Sequence, residues 1–294
     1  MPSNLIKSMT GFGSAEASVG SHRVAVEIRS VNHRFFSPSI KTPSALTRLE
    51  GDIREVLRER VARGHVTASL RIGSDAEVGP RLDADRIAAY VEQVKELNKQ
   101  VHLTEPVTWD AILRLPQVVT TEEPAAAPDA QAIMPVVRQA LEEMDAMRAV
   151  EGAKLRDIIL DRLAAIETAM KRVADRAPTR VVEQRDRLRK AVTSLMEGAL
   201  PNEDRIAQEI AMLADRLDVS EEIARFATHI SAFRATLDAP PPDGVGKRLG
   251  FLLQELLREA NTTGSKANDS AITAEVLSIK EDLERIREQV ENLE

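Results

Sequence analysis

From residue 129 to residue 176 the chain repeats apolar side chains at helical spacing, and no other feature constrains the fold as much. Val136, Leu141, Met144, Met147, Leu155, Ile159, Leu163, Ile166, Met170 and Val173 mark the stripe. That period belongs to an α-helix with one buried face. Unbroken, these 48 residues would rise about 70 Å. A helix of that length outgrows a compact domain and suits an elongated bundle or a subunit interface. Gly152 is the candidate break. Further helices are expected over about 178–197, 202–238, 246–261 and 269–293, with APPPDGVG at 239–246 as the strongest punctuation.

The N-terminal third reads differently. HRVAVEIRSV alternates apolar and polar residues, with Val24, Val26 and Ile28 on one face of a strand. KSMTGFGSAEASV is its antiparallel partner through a turn at Gly20 and Ser21, and GFG reads as a strand bend. A helix from Ser44 to about Ala62, the strand HVTASLRI and a helix from Asp83 to Gln100 follow. Thr108 caps a short helix in TWDAILRLPQVV, and EEPAAAPDA is the natural linker. The expected fold is α+β. A small N-terminal α/β sheet domain over residues 1–120 precedes an elongated all-α helical domain over 121–294.

Composition narrows function by exclusion. The 294 residues contain no cysteine, which removes disulfides, thiolate nucleophiles and Cys-ligated zinc. Aromatic residues make up only 3%, too few for extensive base stacking. No signal-peptide run and no membrane-length apolar stretch is present, so a cytoplasmic protein without a membrane partner is expected. The net charge is −7, yet His22 to Ile72 holds ten Lys/Arg against five Asp/Glu. A basic module on an acidic body is compatible with an RNA or phosphate ligand.

Two late helices carry polar lines. Asp215, Asp218, Glu222, Arg225 and His229 follow one another at steps of three and four. In FLLQELLREANTTGSKANDS the line is Glu255, Arg258 with Glu259, Thr262, Lys266 and Asp269. Each line can be a solvated face whose charges pair locally, with Arg225 matched to Glu222 and Arg258 to Glu255. If instead the lines face each other, Asp215, Glu222, Glu255 and Glu259 offer oxygen ligands for Mg²⁺ or Mn²⁺, with His229 nearby. Gly264 and Asn268 read as a helix break and a fresh cap. SVNHRF offers Asn32, His33 and Arg34 directly after a strand, suited to gripping phosphate, or else forms an ordinary surface loop.

KSMTGFGSAEA, EIRSVNHRFF, RGHVTASLRI, TWDAILRLP, LADRLDVSEEIAR, GFLLQELLREANTTGSKANDS and IREQVENLE together resemble the YicC/YloC family, collinearly over nearly the whole chain. The resemblance implies a metal-dependent bacterial endoribonuclease supported by Mn²⁺ or Mg²⁺. It also implies a homo-oligomer, a hexamer, acting in small-RNA turnover and stress adaptation. It carries over Glu255, Glu259, His229 and Arg258 as catalytic candidates, and Asp215, Glu222, Glu255 and Glu259 as metal ligands. Arg29, Asn32, His33, Arg34, Asn261, Thr262, Ser265 and Lys266 become RNA contacts, and Lys266 and Asp269 are expected opposite Glu255 and Glu259. His65 replaces a usual Lys, SPSIK a more apolar strand, and Gln117 a usual Gly. The alternative is a non-catalytic RNA-binding or adaptor oligomer whose stripes join subunits.

Overall fold

The computed structural model of the chain describes residues 6–20, 22–74, 80–102, 108–121, 129–195, 202–241 and 244–294. Strands β1 (Gly11–Val19) and β2 (His22–Val31) form the expected antiparallel hairpin, and Gly20 turns it with φ of 63°. Strand β4 (Gly64–Ser74) pairs antiparallel with β2, and β3 (Phe36–Lys41) pairs parallel with β4, giving the order β1-β2-β4-β3. A parallel pair needs a crossover. A 3-10 turn (Ser44–Leu49) and helix α1 (Glu50–Arg60) supply it, burying Leu46, Leu49, Ile53 and Leu57.

A small appendage follows. Strands β5 (Pro80–Leu82) and β6 (Val119–Thr121) pair, a ribbon too short to announce itself in the sequence. Between them lie α2 (Ala84–Val101), capped by Asp83, and α3 (Trp109–Leu113), capped by Thr108 as its sequence predicts. Most of the linker EEPAAAPDA falls outside the described residues.

Helix α4 (Ala130–Leu195) is 66 residues long, a rod of about 100 Å. It continues through Gly152, the candidate break, and also contains Pro135 and Pro178. Gly152 serves a packing purpose: a Cβ there would lie 2.4 Å from the Ile6 carbonyl oxygen, so only glycine lets the N-terminal segment cross. GFG works similarly. A Cβ on Gly13 would stand 2.1 Å from the Ala140 carbonyl oxygen, so β1 needs its glycine to press against α4 rather than to bend.

Two cores share this rod. Ile133, Val137, Ala140 and Met144 of α4 pack with Val24, Val26, Ile28 and the α1 residues. Ile159, Leu163, Ile166 and Val173 pack with three later helices. These are α6 (Ser220–Asp238), α7 (Gly246–Ala267) and α8 (Ser270–Val290), preceded by α5 (Glu203–Leu217). The expected helix over 202–238 breaks at Asp218 and Val219, where the Asp218 carboxylate accepts hydrogen bonds from the Ser220 N–H and hydroxyl. Among the described residues no helix is long and apolar enough to cross a membrane.

The segment before β1 joins residues near the end of α8. The Lys7 and Glu294 backbones exchange hydrogen bonds, and Met9 N–H donates to the Asn292 carbonyl at 2.8 Å. Beneath this ladder Arg148 is fully buried. Its guanidinium donates to the Ser8 carbonyl at 2.7 Å and pairs with Glu294 and Asp145. The Glu294 carboxylate also accepts the Ala62 and Arg63 N–H groups.

Candidate metal centre and nucleic-acid surface

Helices α6 and α7 meet along a seam that is apolar on its inner side. Phe226, Ile230 and Phe233 of α6 lie in one buried cluster with Leu249, Leu252, Leu256 and Ala260 of α7. Outside it runs a polar row with an antiparallel register. Glu222 meets Lys266 at 2.8 Å, Arg225 comes within 4.0 Å of Glu259, and His229 approaches Glu255 and Glu259. Numbers rise on one helix as they fall on the other, so the two predicted polar lines do face each other along this stretch.

His229, Glu255 and Glu259 each offer one ligand atom, and those atoms all lie within 4.8 Å of one another. Glu255 and Glu259 share a face of α7 because they are four residues apart. Glu259 is buried, while His229 and Glu255 are half-buried. Ligand atoms about 2.0–2.2 Å from an ion stand at most about 4.4 Å apart across it. Small side-chain rotations therefore bring the set to coordination distance. One imidazole with two carboxylates suits Mn²⁺, and Mg²⁺ with retained waters less closely.

The remaining predicted residues are distributed around this group. Glu222 is one turn away and buried, with one carboxylate oxygen on Lys266 and the other without a hydrogen-bond partner. That hydrogen bond and the charge of Glu222 hold the Lys266 ammonium above its ordinary pKa against a smaller desolvation effect. Asp215 is not brought to the group: it is exposed on α5 and lines a separate cleft with Arg180 and Asp218. Asp269 does not stand opposite Glu255 and Glu259. It caps α8 through the Ala271 and Ile272 N–H groups and pairs with Arg176, which together hold its pKa below the usual carboxylate value. The break expected at Gly264 is absent, because α7 continues past it to Ala267 with Val276 of α8 packed 3.1 Å from where a Cβ would sit. Asn268 ends α7 in the left-handed conformation, and Asp269 starts α8.

Arg258, Asn261 and Ser265 are exposed on α7, beside the seam rather than within it. Thr262 and Ser265 spend their hydroxyl protons on the Arg258 and Thr262 carbonyls. Arg225 is a residue that its spacing misplaced: it pairs with Glu221 instead of Glu222 and turns toward Glu259. Arg180 gave no signal at all. It is buried, donating to the Leu217 and Ala267 carbonyls at the ends of α5 and α7, and burial lowers its pKa.

The N-terminal set lies on the sheet side. Arg29 stacks near Phe12, and Asn32 donates to the Glu291 carbonyl at 2.7 Å, tying SVNHRF to the end of α8. His33 and Arg34 are exposed, with the Arg34 guanidinium 5.2 Å from the Phe35 ring centre.

Comparison with known proteins finds matches to both parts of the chain. Residues 6–157 match the family described as "Endoribonuclease YicC-like, N-terminal region", and residues 173–294 match "Endoribonuclease YicC-like, C-terminal". A protein of Clostridioides difficile named "Probable endoribonuclease YicC" is 30% identical over 293 residues, covering 98% of this chain and 99% of that one. One of Haemophilus influenzae with the same name is 33% identical over 294 residues, covering 99% and 100%. The chain, whose α6–α7 seam lies wholly within the second matched region, belongs to the YicC-like endoribonuclease family.

Proposed function

We propose that this protein is an endoribonuclease whose cleavage depends on a divalent metal, Mn²⁺ before Mg²⁺, held by His229, Glu255 and Glu259. The observation that carries the proposal is the convergence of those three side chains within 4.8 Å across two helices. A divalent cation bound there supplies Lewis-acid activation of water and charge neutralisation at a phosphodiester. The protein's own groups complete the chemistry. Arg225, held beside Glu259, faces a phosphate oxygen, and Arg258 on the neighbouring exposed face steadies the strand. Lys266, kept protonated by Glu222, adds fixed positive charge one turn along. Asp215 is left out of the metal set, and Glu222 serves by orienting Lys266.

RNA is the partner, reached also through Arg29, His33 and Arg34, with Asn261, Thr262 and Ser265 along the exposed side of α7. A homo-oligomer fits the appendage, where α2 buries none of its residues and leaves Leu97 and Val101 exposed, as α3 leaves Trp109 and Leu113. A hexamer in the cytoplasm, acting in small-RNA turnover and stress adaptation, is the full form of the reading.

The test is cleavage of a labelled single-stranded RNA by the pure protein. Mn²⁺ should support cutting and a chelator should stop it. Glu255→Ala and Glu259→Ala should each lose at least about a hundredfold in rate while retaining RNA binding. Normal cutting by either variant would remove that carboxylate from the site. Binding without cutting under every divalent metal would make the protein an RNA-binding adaptor.

A further inference from the structure

On the side of α7 away from Glu255 and Glu259, a cleft of about 590 Å³ opens between the sheet region and the α7–α8 pair. Leu253 and Leu257 stand two residues from Glu255, about 200° around the helix, and with Leu283 and Val290 they make an apolar floor. Four cations stand at the cleft: Arg34 and Arg63 from the sheet region, Lys247 from α7 and Arg287 from α8. Among the described residues Arg34, Arg63 and Lys247 form no ion pair. Arg63 Nε–H donates to the Arg34 carbonyl at 3.3 Å, which fixes the two arginines relative to each other. Of the two carboxylates that line the cleft, Glu284 lies 3.7 Å from Arg287, and Glu291 forms no ion pair among the described residues, so four cations face two carboxylates. Asn32 and Gln254 add side-chain amides.

We infer that this cleft is a nucleotide-binding site, separate from the metal-capable group. Its size lies within the range of ordinary ligand pockets, about 300–1,000 Å³. An inorganic anion would leave the leucine floor unused, and a purely apolar ligand would leave three unpaired cations facing it. A base on the floor with its phosphate among the arginines and Lys247 satisfies both halves. The side-chain oxygen of Asn32, whose NH2 is engaged by Glu291 and Asn292, and the amide of Gln254 can then meet base edges. Such a ligand is a free nucleotide or one nucleotide of an RNA strand. In the second case the strand passes over Gln254 and Arg258 toward Glu255, and this arm alone rests on the reading above.

Gly250 supplies a clean probe. It lines the cleft, and a Cβ built there meets no atom beyond its own helix turn within 4 Å. Gly250→Leu should therefore occupy the cleft while raising helix propensity. Binding is measured on the full chain in chelator, with no divalent metal present, using AMP, UMP and a labelled eight-nucleotide single-stranded RNA as probes. Gly250→Leu and the double variant Arg34→Ala/Arg63→Ala should each weaken at least one probe by about tenfold, a loss of about 1.4 kcal/mol. Melting temperatures confirm that the variants fold. Loss of mononucleotide binding assigns the site to a free nucleotide, and loss of RNA binding alone assigns it to the strand. If neither class of probe binds the wild type, or neither weakens by as much as about threefold in either variant, the inference fails. Because no metal is present, that failure is distinct from any failure of Glu255 or Glu259 in cleavage.

Discussion

Asp269 is the residue where helix termination, ion pairing and pH meet. Its carboxylate takes the first N–H groups of α8 and the Arg176 guanidinium, so its folded pKa is depressed. A depressed carboxylate contributes stability that is complete above its unfolded pKa of about 3.9 and is lost as the pH falls through the folded value. Asp269→Asn keeps a good cap but removes both the charge and the titration. We expect a loss of about 1 kcal/mol at pH 7. The melting curves of variant and wild type should converge as the pH falls through the folded value. Thermal melts across pH 2.5–7 check this, and a constant gap between the two proteins would reject the role of the charge. The same stretch tells how far a sequence reaches. That Glu255 and Glu259 share a face follows from their spacing. His229 meets them while Asp215 does not, because the chain breaks at Asp218, where Ser220 donates two hydrogen bonds to the carboxylate.

At the scale of the element, α4 overrides two local rules. Glycine and proline inside a helix cost about 1 and about 3 kcal/mol respectively. Each long apolar side chain buried on α4 returns about 1.5–3 kcal/mol, and the helix sinks such residues into two cores. Breaker residues are local signals, whereas the burial that outweighs them depends on partners more than a hundred residues away, such as Ile28 and Ile279. Strand alternation, the Thr108 cap and the apolar face of α1 were legible because each depends on neighbours in sequence. Gly152 turns this into a prediction. Alanine ordinarily improves a helix interior over glycine by about 1 kcal/mol. Here its Cβ would meet the Ile6 carbonyl oxygen at 2.4 Å and Lys7 Cα at 2.7 Å. Gly152→Ala should therefore destabilise by about 1–3 kcal/mol. Gly51→Ala in α1, which meets nothing within 4 Å, should stabilise by up to about 1 kcal/mol. Urea titrations that found the same sign for both would contradict the packing argument.

For the whole molecule, the decisive contact is the buried guanidinium of Arg148, a surface-type residue in sequence that the fold places beneath both ends of the described chain. Glu294 neutralises it and also holds the N–H groups between α1 and β4, so one carboxylate ties the sheet to the end of the helical region. Glu294→Ala leaves Asp145 as the remaining charge partner, and removing one partner of a buried pair costs about 3–5 kcal/mol. Because α4 belongs to both cores, hydrogen exchange should rise together in β2 and in α8. Loss of protection confined to one of them would show that the rod does not couple the cores.

The ladder between residues 7–9 and 292–294 also sets a schedule for synthesis. Translation proceeds at about 5–20 residues per second, so Lys7 waits on the order of 15–60 s for Glu294 to be made. During that interval Gly152 can already receive the crossing segment, but Arg148 lacks its principal counter-charge. The nascent protein therefore carries an unlatched segment before β1, with Ile6 and Met9 still without the contacts that bury them, until Glu294 has been made.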